Sequence, residues 1–479
     1  MNVFNPSHAY LDMQAHRHLP RTLWAGLRAM QACGELYLPR EPGESQPNYE
    51  VRLRRSTLFN QFSRTIETAA GKVFSKPLRF VDLPPDLEPF LENCDQMGNH
   101  IDIFARDWFR EALVDGLAFA CVDVSRTTPP GQPVTVDDRK SGRVRPYVVM
   151  YKAGDVLETR FETVDGVPVL TRVRIRESRF VPDPANDYAE IFVERVRELR
   201  PGSYTVYERQ ADGDKVIATG STGLSFIPFT CLMLGRRIAP MTAYPALANL
   251  ATENLRHYQS QSDQNNILRI VRVPLLHLAG FDEVDDEGNK RTVVVGPNTL
   301  LESGEMGKAQ YVEHSGAGVG SGFEDLRSIE ERMNQMGMSL TVRQTTGDIT
   351  ATENNLVSSE AHSALGAMAT SLQDSLELLL AYAAQAIGLP GDGGSVIVHK
   401  TFGSDGNSIV EAQLLTQARA NRDITQLTFL RELKRRAILN EDFSPEDEVE
   451  AVGDEQPEPL IGSPLALNTA PADDDGDGE

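Results

Sequence analysis

Residues 243–388 constrain this chain more than any other stretch. They read as a long helix, a short β-rich insert, a second helix, a polar loop and a still longer helix, with no catalytic constellation among them. Pro245 suits the first turn of the first helix, where its missing N–H costs nothing, and the pattern runs to about Ile270. Its 26 residues correspond to roughly 39 Å of helix. Leu247, Leu250, Leu255 and Tyr258 supply apolar surface, but the second half carries Ser260, Gln261, Ser262, Asp263, Gln264, Asn265 and Asn266. A helix so polar is not an ordinary core helix along its whole length. Two β-rich runs follow, LLHLAGF and TVVVG, which flank an acidic turn and are too short to form a core of their own. A glycine-rich joint, GAGVGSG at 316–322, reads as a flexible hinge before a helix with Phe323, Leu326, Ile329, Met333 and Met336 on one face.

The third helix has the clearest local grammar. Thr350 and Glu353 match a capping box, Leu365, Met368, Leu372, Leu376, Leu379, Ala383 and Ile387 follow at steps of three and four, and Gly388 and Pro390 end it. That is about 54 Å of helix. Upstream, Leu53, Leu58, Phe62, Ile66 and Ala70 predict one amphipathic helix within 48–76, closed by Pro77. Ile103, Phe104, Trp108 and Leu113 predict another over 101–115, stopped by Gly116. From 145 to 229 the texture is that of hairpins: YVVMY, VLTRVRIR, IFVERVREL and SYTVYER, parted by Asp165-Gly166, Pro201-Gly202 and Asp212-Gly213. A strand at SVIVHKTF and a final helical region over 408–439, with Leu427, Leu430 and Leu433 as its stripe, complete an α+β chain. Past residue 440 the Pro, Gly, Asp and Glu content predicts disorder.

Charge is distributed unevenly. Of the net charge of −22, residues 441–479 hold 14 acidic and no basic side chains, which leaves −8 for the first 440. Residues 1–80 carry 11 basic and 6 acidic groups. This excess, which includes Arg52, Arg54 and Arg55, suits contact with DNA or with partner proteins. The longest nearly apolar run, 378–389, is too short to span a bilayer, and the first 20 residues show no signal-peptide pattern, so a soluble, non-exported protein is expected.

Familiar reactive motifs are missing. GAGVGSG is not followed by Lys-Ser or Lys-Thr, so a phosphate loop is not expected. Cys33, Cys94, Cys121 and Cys231 lack ligand spacing and read as reduced packing residues. His16 and His18 have no third partner nearby, and Asp473, Asp475 and Asp477 lack the rest of a calcium loop, so no metal or cofactor is expected. Arg172, Arg174 and Arg176 would share one strand face, to meet phosphate or an acidic neighbour or to form a solvated or intersubunit surface. Lys434, Arg435 and Arg436 would complement a helix C-terminus or the acidic tail. Met306, Met333, Met336 and Met338 read as adaptable packing.

The ordered set of a β-rich wing, Ile227-Pro228-Phe229, the polar helix ENLRHYQSQSDQ, a small β insert, a second helix, a polar loop and a helix opened by TATEN resembles the portal proteins of tailed bacteriophages and prophages, in a branch catalogued as a domain of unknown function. The resemblance covers roughly residues 5–450. It implies the portal fold: wing 1–242, first stem helix 243–270, small α/β clip 271–320, second stem helix 321–340, tunnel loop 341–351, wing helix and strand 352–404, helical crown 405–440 and acidic disordered tail 441–479.

It also implies function. The chain would be one subunit of a ring, typically a dodecamer, that forms the DNA channel at one capsid vertex for genome packaging, head–tail joining and DNA ejection. Double-stranded DNA would pass without sequence specificity. The terminase large subunit, a head–tail adaptor, and the major capsid and scaffolding proteins would be partners, and the protein would sit in the virion and, during assembly, in the host cytoplasm. In the tunnel loop, Arg343, Gln344, Thr345 and Thr346 would face DNA, unless Arg343 instead pairs with Asp348 in its own loop. In the clip, Asp282, Glu283, Asp285, Asp286, Glu287, Lys290 and Arg291 would serve docking and intersubunit pairing. Arg256, Tyr258, Gln261, Asp263 and Arg269 are the candidate stem residues. The protein would itself hydrolyse nothing. The rival readings are another head–tail connector or scaffold protein, and a hydrolase using dispersed carboxylates such as Asp282, Asp285 and Glu313.

Overall fold

Apolar residues in the first quarter of the chain recur at helical spacing but are interrupted every ten to fifteen residues or so by Gly, Pro, Ser or Asn. In the computed structural model this region is accordingly a succession of short helices. The structure describes residues 2–126, 137, 144–272, 275–279, 308–312, 317–338, 351–400, 402, 405–435, 438–439 and 443–454. The helices are α1 (His8–Ala25), α2 (Leu27–Ala32), α3 (Gln46–Arg55) and α4 (Gln61–Val73), followed by strand β1 (Arg79–Val81), α5 (Glu88–Glu92) and α6 (Ile101–Asp115).

The single helix expected within 48–76 is two. Ser56 leaves the helical region and its hydroxyl donates to the Leu53 carbonyl at 2.7 Å, while the Asn60 carboxamide oxygen accepts from Ser63 N at 3.0 Å and starts α4. Side chains that bond local backbone compete with helix continuation, and here both are also held from outside. Tyr258 Oη lies 2.8 Å from Ser56 Oγ, and Asn254 accepts from Phe62 N at 3.0 Å. Helix α4 then ends at Val73, four residues before Pro77. By contrast α6 matches its expected span. Gly116 closes it at φ +85°, and a β-carbon there would also lie 2.6 Å from the Tyr244 carbonyl oxygen.

The β region contains β2 (Leu117–Arg126), β3 (Val144–Lys152), β4 (Val156–Val164), β5 (Val167–Arg176), β6 (Arg179–Asp183), β7 (Asn186–Val193), β8 (Arg195–Arg200), β9 (Ser203–Gln210), β10 (Gly213–Ser221), β11 (Phe229–Met233), β12 (Arg236–Ala239) and β13 (Thr242–Tyr244). One antiparallel sheet has the order β11-β2-β3 and a second the order β10-β9-β8-β5-β4, with β6–β7 and β12–β13 as separate hairpins. Asp165 and Gly166, at φ +50° and +83°, make the two-residue turn that pairs Val164 with Val167. IFVERVREL, read as one strand, divides at Glu194 between β7 and β8, which belong to different sheets.

Next come α7 (Ala248–Val271), β14 (Leu275–Ala279), β15 (Lys308–Val312), α8 (Ala317–Met338), α9 (Ala351–Ala386) and β16 (Ser395–Ile397). Strands β14 and β15 pair antiparallel, Leu275 opposite Val312, and β16 pairs with β1. The main core joins distant parts of the chain: Phe62 and Ile66 of α4, Trp108 and Phe109 of α6, Tyr258 of α7, Ile329 and Met333 of α8, and Leu365, Leu372, Leu376, Leu379, Ala383 and Ile387 of α9. Trp108, buried here, donates Nε1–H to the Ala118 carbonyl at 3.0 Å. A second cluster packs Tyr10 and Met13 of α1 with Phe119, Phe229, Val156, Val173 and Ile175 from the two large sheets. Gly388 ends the last turn at φ +71°, as its position implied.

Residues 403–479 form a separate unit with α10 (Asp405–Ala420), α11 (Gln426–Arg435) and α12 (Pro445–Asp454). The helical region expected over 408–439 breaks at 421–425, where Arg422 takes φ +65°. The disorder expected past residue 440 is corrected for 445–454. Ser444 Oγ accepts from Asp447 N at 3.3 Å, Pro445 occupies the first turn, and Glu446, Asp447 and Glu448 sit where the helix dipole favours negative charge. Arg431 of α11 holds Glu446 at 2.6 Å.

Candidate functional site

The polar half of the first long helix finds its use between helices. α7 and α8 run antiparallel, joined along their length by side chains that cross the groove. Glu253 faces Arg332 at 3.4 Å, His257 Nε2 lies 3.1 Å from Glu330 Oε1, and Arg256 reaches Asp325 at 3.2 Å. Ser260 donates to the other Asp325 oxygen at 3.0 Å, and Gln264 donates to the Val319 carbonyl at 3.0 Å. Buried polar groups need such partners, and the ladder supplies them to Gln264 and to His257 Nε2, while among the described residues His257 Nδ1 and Ser262 Oγ have none. The exposed rungs contribute little each, about 0–1 kcal/mol, and their effect is to fix register.

The glycine-rich joint belongs to this contact, which corrects the hinge reading. Helix α8 begins at Ala317, so Gly318, Gly320 and Gly322 are helical. A β-carbon on Gly322 would lie 1.9 Å from Gln264 Oε1. The glycine therefore permits the close approach that lets Gln264, itself buried, reach a backbone carbonyl. On the facing stripe, Leu326, Ile329 and Met333 are buried and Met336 is partly so, but Phe323 is exposed.

The five candidate stem residues separate into distinct environments. Tyr258 is wholly buried, its hydroxyl on Ser56, so it secures α7 to α3. Arg256 is the exposed rung to Asp325. Gln261 donates to Asn265 at 3.0 Å along its own helix. Partial burial, with Glu41 and Glu44 close by, holds the Asp263 carboxyl above its ordinary range against the opposing pull of Arg52. Arg269 is exposed near the end that leads to β14. The tunnel-loop residues Arg343, Gln344, Thr345, Thr346 and Asp348 lie outside the described residues, as do Asp282, Glu283, Asp285, Asp286, Glu287, Lys290 and Arg291 of the clip, Glu313 and Met306. The side chains of the Thr350 and Glu353 capping pair do so as well.

Two basic groups have structural partners. Arg52, expected to contact DNA or partner proteins, is buried and bonded to Glu44 at 2.9 Å and to the Pro39 carbonyl at 2.7 Å, so it is unavailable; Arg54 and Arg55 remain exposed. Arg172 and Arg174 both bind Glu158 of the adjacent strand, at 2.9 and 2.8 Å, and Arg176 alone of the three is exposed.

Between the two large sheets lies a cleft of about 380 Å³, with Asp123, Tyr147, Tyr151, Glu177 and Arg197 among its lining residues. Its groups pair with one another: Tyr147 donates to Asp123 at 3.1 Å, Tyr151 to Glu177 at 3.0 Å, and Arg197 forms an ion pair with Glu177 at 2.8 Å. Burial drives both tyrosine hydroxyls well above their ordinary range, which keeps them protonated donors. The four cysteines are free thiols, and burial pushes Cys94 up to about 12, where it is no nucleophile at neutral pH. Among the described residues no group of three His, Cys, Asp or Glu could hold a metal ion, and no helix is long and apolar enough to cross a membrane. His16 and His18 fall on α1, where the His16 ring lies tilted against Tyr244 and the His18 ring tilted against Tyr37.

Residues 246–386 match a family described as a domain of unknown function (DUF4055), a span that opens just before α7 and closes at the end of α9. No curated protein matches the chain. Among solved structures, a chain from the virion of a native gene transfer agent particle is 11% identical with a TM-score of 0.41, over 86% of this chain and 99% of that one. A chain from the neck of the native particle, computed with C12 symmetry, is 11% identical with a TM-score of 0.42, over 78% of this chain and 89% of that one. One from the neck of the empty particle, computed with C6 symmetry, is 12% identical at 0.40, over 79% and 90%.

Proposed function

We propose that this chain is one subunit of a bacteriophage-type portal, a ring that forms the DNA channel at a single capsid vertex and joins head to tail. The observation that carries this reading is the stem: two antiparallel helices, cross-braced by polar rungs, with a two-stranded sheet where the pair ends. Such a strut transmits load along its axis and presents polar surface on more than one side. A surface helix of an ordinary globular domain, with one apolar face, does neither.

In the ring, about twelve stems would line an aqueous passage. Among the described residues β14 pairs with β15 alone, and a neighbour would extend that small sheet, as in head-to-tail contacts closed by rotation. Acidic walls would repel phosphate and spare duplex DNA the counterion-release affinity that would stall it. Residues 341–351 would narrow the passage, with Arg343 as a DNA-facing or loop-bracing cation. The insert between β14 and β15 would dock the packaging motor first and a head–tail adaptor afterwards. No hydrolysis is assigned to the chain. Its work is positional, and the energy for DNA movement would come from the terminase.

Native mass spectrometry of the purified chain, with end-on negative-stain images, tests the reading. A closed ring of about twelve copies with a channel wide enough for duplex DNA is expected. A monomer or closed dimer at every salt and protein concentration overturns it.

A further inference from the structure

The β6–β7 hairpin is an exposed aromatic projection. It leaves the five-stranded sheet between β5 and β8, closed at its base where Glu177 N donates to the Arg195 carbonyl at 2.9 Å, and among the described residues no third strand joins it. Phe180 and Phe192 face each other across the strands with ring centroids 5.2 Å apart, yet they are 64% and 56% exposed, and Tyr188 is 100% exposed. A lone two-stranded hairpin is at best marginal in water, and rings so placed leave most of their surface in solvent.

Area sets the kind of occupant. With aromatic side chains at roughly 150–250 Å² each, these three leave on the order of 330–550 Å² of ring surface in water. A standard protein interface takes about 800 Å² per partner, of which about 450–520 Å² is apolar. The hairpin alone carries the apolar share of one side. A second apolar tip lies at the other end of the same sheet, where Val164, Val167 and Val169 are exposed around the Asp165-Gly166 turn. The register fixes this opposition: Arg176 of β5 pairs with Val196 of β8 beside the hairpin base, while Val167 begins β5 at the turn. The ten residues of β5 put about 30 Å between the valine turn and the base of the hairpin.

We propose that the β6–β7 hairpin docks on a second copy of this chain, the aromatic tip of one subunit meeting the valine tip of the next. Two different patches at opposite ends make this a heterologous contact, which propagates head to tail until rotation closes it. It requires only a second copy and stands whether or not the assembly conducts DNA.

The full chain is studied by sedimentation velocity over a range of concentrations, as wild type, as the hairpin variant Phe180→Ser/Phe192→Ser and as the tip variant Val164→Ser/Val167→Ser. Each double variant is expected to weaken association at least tenfold with an unchanged thermal midpoint. Mixed together, the two should associate more tightly than either alone, because one intact hairpin still meets one intact tip. Tyr188→Ser, at a fully exposed site, gives a second hairpin variant should the double one fold poorly. A wild type that is monomeric throughout, variants that assemble like wild type, or a mixture no tighter than its parts each overturns the proposal. A ring that forms despite the variants removes this contact and leaves the channel reading standing; a closed dimer that the variants abolish removes the channel instead.

Discussion

Three glycines in one short run occupy the same helix and meet different surroundings, so one substitution should act in opposite directions. Gly320 has open space around its α-carbon, and Gly320→Ala should raise stability by up to about 1 kcal/mol through helix propensity. Gly322→Ala must push Gln264 from its bond to Val319, and should lower stability by about 1–2 kcal/mol as the buried amide loses its partner. Urea unfolding of both variants checks the pair, and two changes of the same sign would contradict the close approach. A run of glycines in sequence suggests freedom; only the facing helix shows that one of them is a fit. Glu158 carries a second prediction. Burial raises its carboxyl, but hydrogen bonds from Arg172 and Arg174 outweigh that and leave it below the ordinary range. A depressed folded-state value stabilises above the unfolded value of about 4.3 and is lost as pH falls through the folded one. Glu158→Gln should therefore cost about 1–3 kcal/mol at pH 7, with the difference from wild type vanishing on acidification below that window, as unfolding at stepped pH would reveal.

Elements obey the same division between local and distant causes. Periodicity located α6, α7 and α9, and Gly-containing turns located the hairpins, because caps, φ-positive turns and apolar spacing are chemistry of the segment itself. The break between α3 and α4 was hidden, since Tyr258 and Asn254, some two hundred residues away, hold the two ends that part there. The ladder between α7 and α8 was equally hidden: the sequence shows a polar helix, and whether its polarity faces water or another helix depends on a partner that spacing cannot name. The apolar stripe of α8 was legible except at its first member, where the helix turns Phe323 outward. Ile329→Ala should cost about 2–5 kcal/mol and Phe323→Ala less than about 0.5 kcal/mol. Thermal unfolding of the two proteins distinguishes them, and equal losses would mean that α8 sits rotated from this description.

Across the whole molecule, what pattern alone could not supply is membership: which segments share a core. The main cluster draws on α1, α2, α4, α6, the three-stranded sheet, α7, α8 and α9, so segments far apart in the sequence pack as one body around Trp108. Its members end at Phe402, and residues 403–479 form their own unit. Cooperative unfolding follows shared burial, so a cut placed where no core residue is lost should leave the transition of the remainder intact. A chain ending at residue 402 is therefore expected to keep the thermal midpoint of the full protein's main transition within about 2 °C, since every member of the main core lies at or before that residue. It should also lose net negative charge, because 14 acidic groups and no basic ones lie in 441–479. Scanning calorimetry of the two chains decides the matter: a large fall in the midpoint, or failure of the shorter chain to give a cooperative transition, would place part of the core's support beyond residue 402.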